Sequence, residues 1–340
     1  MQIAGGMFGF ESNFDLHKNE SYQFMHEPEL FFLSARCAIQ FLINYLKPPQ
    51  VWMPSYLCCS MIDAIPEKSK LKFFPIGNNF DVISVDWIDL LIPGSLVILI
   101  DYFGFPCNTE VIRNVHDREC FVLEDASQAL LSTHVGLLSD YIVYSPRKTV
   151  GVPDGGILQF KKGHIPPVVE MMPPPEKWWL KAFEACILRR EFDQFGGERK
   201  WFEIFRQVEE NFPLGLYRMS ELSRILLENT FDFNGIAQAR RDNFRYLLNV
   251  LSDHALFKSL DKDTVPLGFP IYVEERDKVL QILYAQQIYP PVHWRICNYV
   301  PSSFDISHNI SNHIMTIPCD QRLKEQDVVQ IANAVQRVIR

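Results

Sequence analysis

The feature that most restricts the fold of this 340-residue chain is a regular alternation of short apolar runs with helix-like segments in its first half. The apolar runs, each short enough for one strand, lie at residues 51–53, 71–76, 96–100, 121–123, 141–144 and 157–160. Strands that alternate with helices can pair in parallel, because each helix carries the chain back along the sheet. The sequence therefore predicts an α/β domain with a mostly parallel sheet flanked by helices.

Two of the predicted strands end in side chains that can carry chemistry. One strand leads to Asp125, and the next leads to Lys148. Ligands of parallel sheets gather at the carboxyl ends of the strands, where Ser145 and Tyr56 are also expected. A lysine and a carboxylate at neighbouring strand ends are what a pyridoxal phosphate (PLP) enzyme needs. The lysine forms a Schiff base with the cofactor aldehyde, and the aspartate keeps the pyridine nitrogen protonated.

Length and charge narrow the classes of partner. The chain is long enough for one large domain and a smaller one, and its 47% apolar and 22% charged residues are ordinary for a globular protein. Its formal net charge is -8. Nucleic acids and anionic membrane surfaces bind basic faces, so this charge disfavours both as the main partner.

Hydropathy and cysteine spacing predict where the chain resides. It has no uncharged apolar run of about 18 residues, the length a transmembrane helix requires. Its N-terminal segment lacks the basic stretch and apolar centre of a signal peptide. The eight cysteines include no C-x-x-C pair, so neither a metal site nor a redox pair is indicated. We expect reduced thiols and a cytoplasmic location.

Two helix starts are predicted near the first strands. Ser34 is a suitable N-cap for a helix whose apolar residues recur at three- and four-residue spacing until the chain reaches Pro48. The free N–H groups of that start, with Arg36, could hold a phosphate. A second helix is expected to begin at Ser55 and to run through Ile65.

The second half of the chain has a different organisation. Residues 163–175 hold five prolines and predict a loop, and residues 176–212 predict helix with a core stripe of Trp178, Trp179, Phe183 and Ile187. Further helix is expected over 216–251, with a break near 232–235. A last unit has strands at 268–273 and 314–317, a helix at 275–285 and a C-terminal helix from Lys324, which together predict a small domain.

Five stretches, in order along the chain, resemble the DegT/DnrJ/EryC1/StrS family of PLP-dependent aminotransferases. They are the strand and proline-led turn at 51–56, the glycine-containing turn at 101–106, the Glu-Asp-Ala-x-Gln stretch at 124–128, Lys148 with Gly155 and Gly156, and the Tyr-Arg-Met helix start at 217–221. The resemblance runs from Ser34 to Ile339. It implies fold type I: a large PLP-binding domain with a sheet of the seven-stranded type, and a small C-terminal α+β domain. We predict an arm at 1–20, the large domain at 21–235 with a helical insertion at 163–212, and the small domain at 236–340.

The resemblance also implies roles for individual residues. Lys148 would form the internal aldimine and shuttle the proton, and Asp125 would face the pyridinium nitrogen. Gln128 would lie at the ring hydroxyl, and Tyr56 or Cys58 would stack on the ring. Ala35 and Arg36 would form the phosphate-binding helix start. A homodimer with each active site at the subunit interface is implied as well.

This chain departs from the family at three places. The family has Gly-Thr or Gly-Ser where this chain has Ala35 and Arg36, so Arg36 would replace a hydroxyl contact with a charge-assisted one. The family places its phosphate serine five residues before the lysine, whereas Ser145 lies three before Lys148. Helices at 163–212 are atypical of sugar aminotransferases, so the resemblance leaves a nucleotide-sugar substrate open.

Three readings of the function follow. The first is an aminotransferase that moves an amino group from a donor such as glutamate to a keto or aldehyde acceptor, with a nucleotide-linked keto sugar as one candidate. The second is a dehydratase-like PLP enzyme, although relatives of that kind carry histidine at the position of Lys148. The third is a non-catalytic binding protein that kept the fold.

Three further residues are candidates for contacts with substrate. His293 and Trp294 lie in a proline-rich loop and could contact substrate or only pack the small domain. Arg147 could pair with a substrate anion or with Asp154.

Overall fold

The computed structural model describes residues 4–10, 22–25 and 29–339. Residues 1–3 and 11–20 of the predicted arm therefore lie outside the described residues. The larger sheet has seven strands in the spatial order β1-β7-β6-β5-β4-β2-β3. These strands are β1 Glu29–Phe32, β2 Val51–Pro54, β3 Leu71–Phe74, β4 Leu96–Ile100, β5 Phe121–Asp125, β6 Tyr141–Tyr144 and β7 Gly156–Phe160.

Five adjacent strands of this sheet, from β3 to β6, are parallel. Strand β7 is antiparallel to β6, and β1 is antiparallel to β7. Strands β2, β4, β6 and β7 are buried along their whole length, which explains why they are continuous apolar runs rather than alternating ones. The predicted α/β fold with a mostly parallel sheet is confirmed, and β1 is an edge strand that was not predicted.

Helix α1 (Ala35–Leu46) begins at the predicted cap, where the Ser34 hydroxyl accepts a hydrogen bond from the N–H of Cys37 at 3.2 Å. The prediction of a helix from Ser55 is wrong. The N–H of Ser55 donates to the carbonyl of Phe74 and so continues the pairing of β2 with β3. Helix α2 is consequently limited to Cys59–Asp63. Helix α3 (Thr109–His116) is capped by Asn108 as predicted.

Helices α4 (Glu176–Phe195) and α5 (Lys200–Glu210) form an antiparallel hairpin, in which the Trp178 indole donates to the carbonyl of Val208 at 3.0 Å. The predicted core stripe of α4 is wrong in part, because Trp179 and Phe183 are only half-buried and Ile187 is exposed. The buried side chains of α4 are Trp178, Ala182, Ala185, Cys186 and Arg189. The inner face of α4 therefore combines Trp178 and Arg189 with three small residues, and it leaves out most of the predicted stripe.

The C-terminal part has a core of its own. Helix α6 (Glu221–Asn229) and helix α7 (Phe233–Leu251) lead to a two-stranded antiparallel sheet of β8 (Phe269–Tyr272) and β9 (Ile314–Ile317). The remaining helices are α8 (Arg276–Ala285), α9 (Asp305–His313) and α10 (Glu325–Val338), of which α9 was not predicted.

Helix α7 joins the two cores. Phe233 and Ile236 at its start pack with the residues around β6, whereas Phe244 and Leu247 pack with β8, β9 and α10. The predicted domain boundary after residue 235 falls inside α7 and stays a prediction. Within the described ranges, no helix combines the length and apolarity that crossing a bilayer requires.

Candidate active site

A cavity of about 640 Å³ lies where β4, β5 and β6 end. Its wall also includes the N-terminus of α1, the inner face of the α4–α5 hairpin and the segment 5–8. All the predicted site residues except Tyr56 line this cavity: Ala35, Arg36, Cys58, Asp125, Gln128, Ser145, Arg147, Lys148, His293 and Trp294. The fold thus brings together residues that are up to 259 positions apart, from Ala35 to Trp294.

Lys148 ends a short helical turn after β6, in which its N–H donates to the carbonyl of Ser145 at 3.1 Å. Its side chain is half-buried and lines the cavity. Among the described residues, the amine makes no hydrogen bond or ion pair. Burial lowers the pKa of Lys148, and the carboxylate of Asp125 opposes part of that shift. A larger fraction of the amine is therefore neutral, which is the form that attacks a carbonyl carbon.

Asp125 is the last residue of β5, which pairs in parallel with β6 and so lies next to the strand that carries Lys148. One carboxylate oxygen accepts a hydrogen bond from the N–H of Ser127 at 2.9 Å. The side chain is buried and lines the cavity. Its negative charge is thus held in a fixed orientation, near enough to Lys148 to affect the pKa of that amine.

The side-chain amide of Gln128 has a defined orientation. Its Oε1 accepts a hydrogen bond from the backbone N–H of Phe103 at 2.7 Å, which assigns the oxygen because an N–H needs an acceptor. The Nε2 donors are consequently left for the cavity that Gln128 lines. This arrangement suits an anionic oxygen on a bound ligand.

The N-terminus of α1 forms a second polar part of the wall. Ala35 and Arg36 begin this helix and line the cavity, and Ser145 lies on the same cavity. Gly156 of β7 permits the close approach of that strand to the start of α1, because a Cβ there would lie 2.3 Å from the Ala35 nitrogen. A helix start, the guanidinium of Arg36 and the hydroxyl of Ser145 together suit a phosphate.

Arg36 and Arg147 share one carboxylate, Glu209 of α5. Nη1 and Nη2 of Arg147 donate to the Glu209 carboxylate at 2.7 and 3.3 Å, and the Arg36 guanidinium lies 3.9 Å from it. Burial alone would raise the pKa of Glu209, but Arg147 and then Arg36 outweigh it and lower that pKa. Burial and the neighbouring Arg147 lower the pKa of Arg36. Two cations with one anion leave a net positive charge for a ligand anion.

Arg147 therefore pairs with Glu209, whereas Asp154 accepts hydrogen bonds from Ser220 and Ser223. Glu209 was not predicted from sequence. The available signal was its position on the apolar face of α5, one turn after Phe205 and next to Val208, because a glutamate on such a face is rarely buried without a partner.

The predicted residues of the 293–294 loop are half-buried and line the cavity. His293 bonds through Nδ1 to the Thr316 hydroxyl at 2.9 Å. Burial, and then the nearby Lys148, lower the pKa of His293 to about 3, so it is neutral at physiological pH. Tyr56 lies outside the cavity lining: its hydroxyl donates to the His293 carbonyl and accepts from the Trp294 N–H. Tyr56 thus holds the loop, and Cys58 is the one of the two predicted stacking residues that reaches the cavity.

One group of possible metal ligands occurs among the described residues, namely Asp101, Cys107 and Glu124. Burial raises the pKa of all three. Backbone N–H groups of Cys107 and Gly136 donate to Asp101 and Glu124 respectively. The three residues thus form a buried cluster whose carboxylates are hydrogen-bonded, and no metal was predicted from the sequence.

The residues present fit PLP. Lys148, Asp125, Gln128 and the start of α1 all line one cavity, where they would offer an amine to the aldehyde, a carboxylate to the ring nitrogen, amide donors to the ring oxygen and a helix start to the phosphate. The set supplies complementary groups for every polar end of the cofactor.

Solved structures share this fold. PseC from Helicobacter pylori, an aminotransferase involved in the biosynthesis of pseudoaminic acid, matches with a TM-score of 0.71 at 16% identity, over 100% of this chain and 99% of that one. A DegT/DnrJ/EryC1/StrS aminotransferase from Brucella abortus gives 0.64 at 16%, over 92% and 86%. The sugar aminotransferase CalS13 from Micromonospora echinospora gives 0.63 at 14%, over 91% and 87%. At these identities the likeness shows the fold.

The family follows from the sequence itself. No curated protein matches the chain. The model of the DegT/DnrJ/EryC1/StrS aminotransferase family matches residues 93–336, well over half of the chain. The protein therefore belongs to the DegT/DnrJ/EryC1/StrS family and is a PLP-dependent aminotransferase.

Proposed function

We propose that Lys148 is the residue that binds the cofactor covalently through a Schiff base and later moves the proton on the substrate. The observation that supports this most strongly is its amine in the cavity, which makes no hydrogen bond or ion pair among the described residues and follows the strand next to that of Asp125. Bound PLP supplies an electron-accepting ring that stabilises the charge left when a proton leaves the carbon beside the amine. With PLP bound, Asp125 would keep the ring nitrogen protonated, and Gln128 would donate a hydrogen bond to the ring oxygen.

The reaction that we propose moves an amino group from an amino-acid donor, with glutamate as the first candidate, to a keto or aldehyde acceptor. CalS13 is a sugar aminotransferase and PseC acts in the biosynthesis of pseudoaminic acid, so a nucleotide-linked keto sugar is one candidate acceptor. Glutamate added to the PLP-loaded protein should release one 2-oxoglutarate per site without any acceptor. If only another amino acid releases its own 2-oxo acid, that amino acid replaces glutamate as the proposed donor. If no amino acid releases a 2-oxo acid, the proposed function is contradicted.

Arg36 should contribute directly to cofactor binding. A hydrogen bond to a charged group is worth about 1.5–3 kcal/mol, so Arg36→Ala should weaken PLP binding by about 10- to 100-fold. Titration of the cofactor-free protein with PLP, followed by absorbance, measures this. Arg113→Ala, which removes an exposed arginine from α3, is the control. An Arg36→Ala protein that binds PLP as tightly as the wild type would show that the phosphate lies elsewhere.

We further propose a homodimer with each active site at the subunit interface. Its support here is the exposure of large apolar side chains in the 163–212 segment, namely Ile165, Val168, Met172 and Phe195. Sedimentation velocity should therefore show a dimer. Phe195→Asp should shift the protein towards monomer, and a wild-type monomer with full activity would rule the dimer out.

A further inference from the structure

The cavity wall is polar in one part and apolar in another. The polar part comes from the strand ends and the start of α1, which carry Lys148, Asp125 and Arg36. The apolar part comes from the segment 5–8 and the α4–α5 hairpin, through the side chains of Met7, Phe8, Ala182, Ala185, Phe205 and Val208. This second part, here called the apolar subsite, has no role in the binding of PLP described above.

The inner faces of both hairpin helices build the apolar subsite. On α4, Ala182 and Ala185 are buried and small, so they leave space that a larger residue would fill. On α5, Phe205 and Val208 lie on the same face, three residues apart. The antiparallel contact of α4 with α5 sets these residues side by side.

The segment 5–8 is fixed against this hairpin. Arg189 of α4 donates to the carbonyl of Gly5 at 3.1 Å, and Arg322 donates to the carbonyl of Met7 at 2.9 Å. The Arg322 guanidinium also lies 4.0 Å from the centre of the Phe8 ring. Gly9 packs so closely on α4 that a Cβ there would lie 2.5 Å from the Arg190 nitrogen. These contacts hold the segment 5–8 in place as part of the wall of the apolar subsite.

The subsite offers little to a polar ligand. Among the described residues, the hairpin gives the cavity one charged side chain, Glu209, which is engaged by Arg147 and Arg36. Among the described residues, the other polar side chain that the hairpin gives the cavity is the thiol of Cys186, and burial raises its pKa to about 12, so it stays protonated. Sugar hydroxyls placed here would lose water without gaining partners.

From this wall we infer that the substrate carries an apolar group, an alkyl chain or an aromatic ring, which lies in the apolar subsite while its amine or carbonyl carbon lies beside Lys148, where the cofactor would be held. The inference rests on the proposed function and selects among its acceptors: it disfavours one that is hydroxylated throughout. Burial of each methylene there adds to binding, whereas a polar group does not.

Straight-chain primary amines test the subsite without a known substrate. The PLP-loaded protein is titrated with ethylamine, butylamine and hexylamine, and binding is followed through the absorbance of the cofactor. Affinity should rise about fourfold per methylene, which corresponds to ~0.8 kcal/mol per buried CH₂. Free PLP, titrated in parallel, corrects for the reactivity of each amine. Hexylamine should bind about tenfold more tightly than 5-amino-1-pentanol, which has a hydroxyl in place of the terminal methyl.

A variant pair locates the effect. Ala185→Leu fills the subsite and should reduce the gain in amine affinity per methylene. Glu184→Leu adds the same side chain on the exposed face of α4 and should keep the wild-type gain. The comparison of hexylamine with 5-amino-1-pentanol uses the wild type and needs no variant to fold. Equal affinities across the series would overturn the apolar subsite and leave the proposed function intact. A protein that takes up no PLP, or whose cofactor reacts with no amine, would overturn the proposed function and the subsite with it.

Discussion

Lys148→Ala should retain PLP but release 2-oxoglutarate from glutamate at least about 10³-fold more slowly than the wild type. Acid–base groups in enzymes contribute about 10²- to 10⁴-fold, and Lys148 has the only lysine amine that lines the cavity within the described residues. Cofactor binding should persist, because Asp125, Gln128 and the α1 start remain. Stopped-flow absorbance of the PLP-loaded variant, mixed with glutamate, measures the rate.

The matched control is Lys177→Ala, which removes an exposed lysine from the first turn of α4. Added methylamine should restore part of the rate of Lys148→Ala, because a free amine can take the place of Nζ. A protein that had only lost its fold would not recover. Turnover by Lys148→Ala at the wild-type rate would contradict the role of Lys148.

Asp125→Asn should reduce the same rate by about a hundredfold or more. A carboxylate and a cation 4 Å apart attract by about 4 kcal/mol at an effective dielectric of 20, and asparagine removes that attraction. The amide keeps the size and can still accept from the Ser127 N–H, so the fold should persist. The lost charge should also lower the pKa of Lys148, because Asp125 holds that pKa up.

Asp63→Asn is the control, because Asp63 also lines the cavity but is exposed. The ring nitrogen of the cofactor gives a second readout, since ¹⁵N-labelled PLP reports its protonation by NMR. The nitrogen should be protonated in the wild type and in Asp63→Asn and neutral in Asp125→Asn. A protonated nitrogen in Asp125→Asn would show that another residue holds the proton.

The parts of the fold that sequence predicted are those set by local pattern. Continuous apolar runs such as β4 mark buried parallel strands, and the polar residues that follow them, Asp125 and Lys148, must then meet at one sheet edge. Ser34 and Asn108 specify helix starts through their own side chains. These features depend on a few neighbouring residues, so periodicity and capping preferences identify them.

The parts that sequence missed depend on contacts distant in the chain. Glu209 reaches Arg36 because the α4–α5 hairpin folds over the start of α1, which no local pattern encodes. Serine is a residue type that often begins a helix, yet the N–H of Ser55 donates to the carbonyl of Phe74 in β3 instead. Tyr56 lies at a strand end as predicted, but its hydroxyl is taken up by the 293–294 loop. In each case a tertiary partner determines the outcome.

The central claim is that Lys148 carries the cofactor. Borohydride reduction of the PLP-loaded protein fixes the cofactor on the lysine that holds it, and peptide mapping by mass spectrometry identifies that residue. We expect the label on Lys148 at one per chain. The label on another lysine, such as Lys161 or Lys162 after β7, would contradict the assignment of the active site.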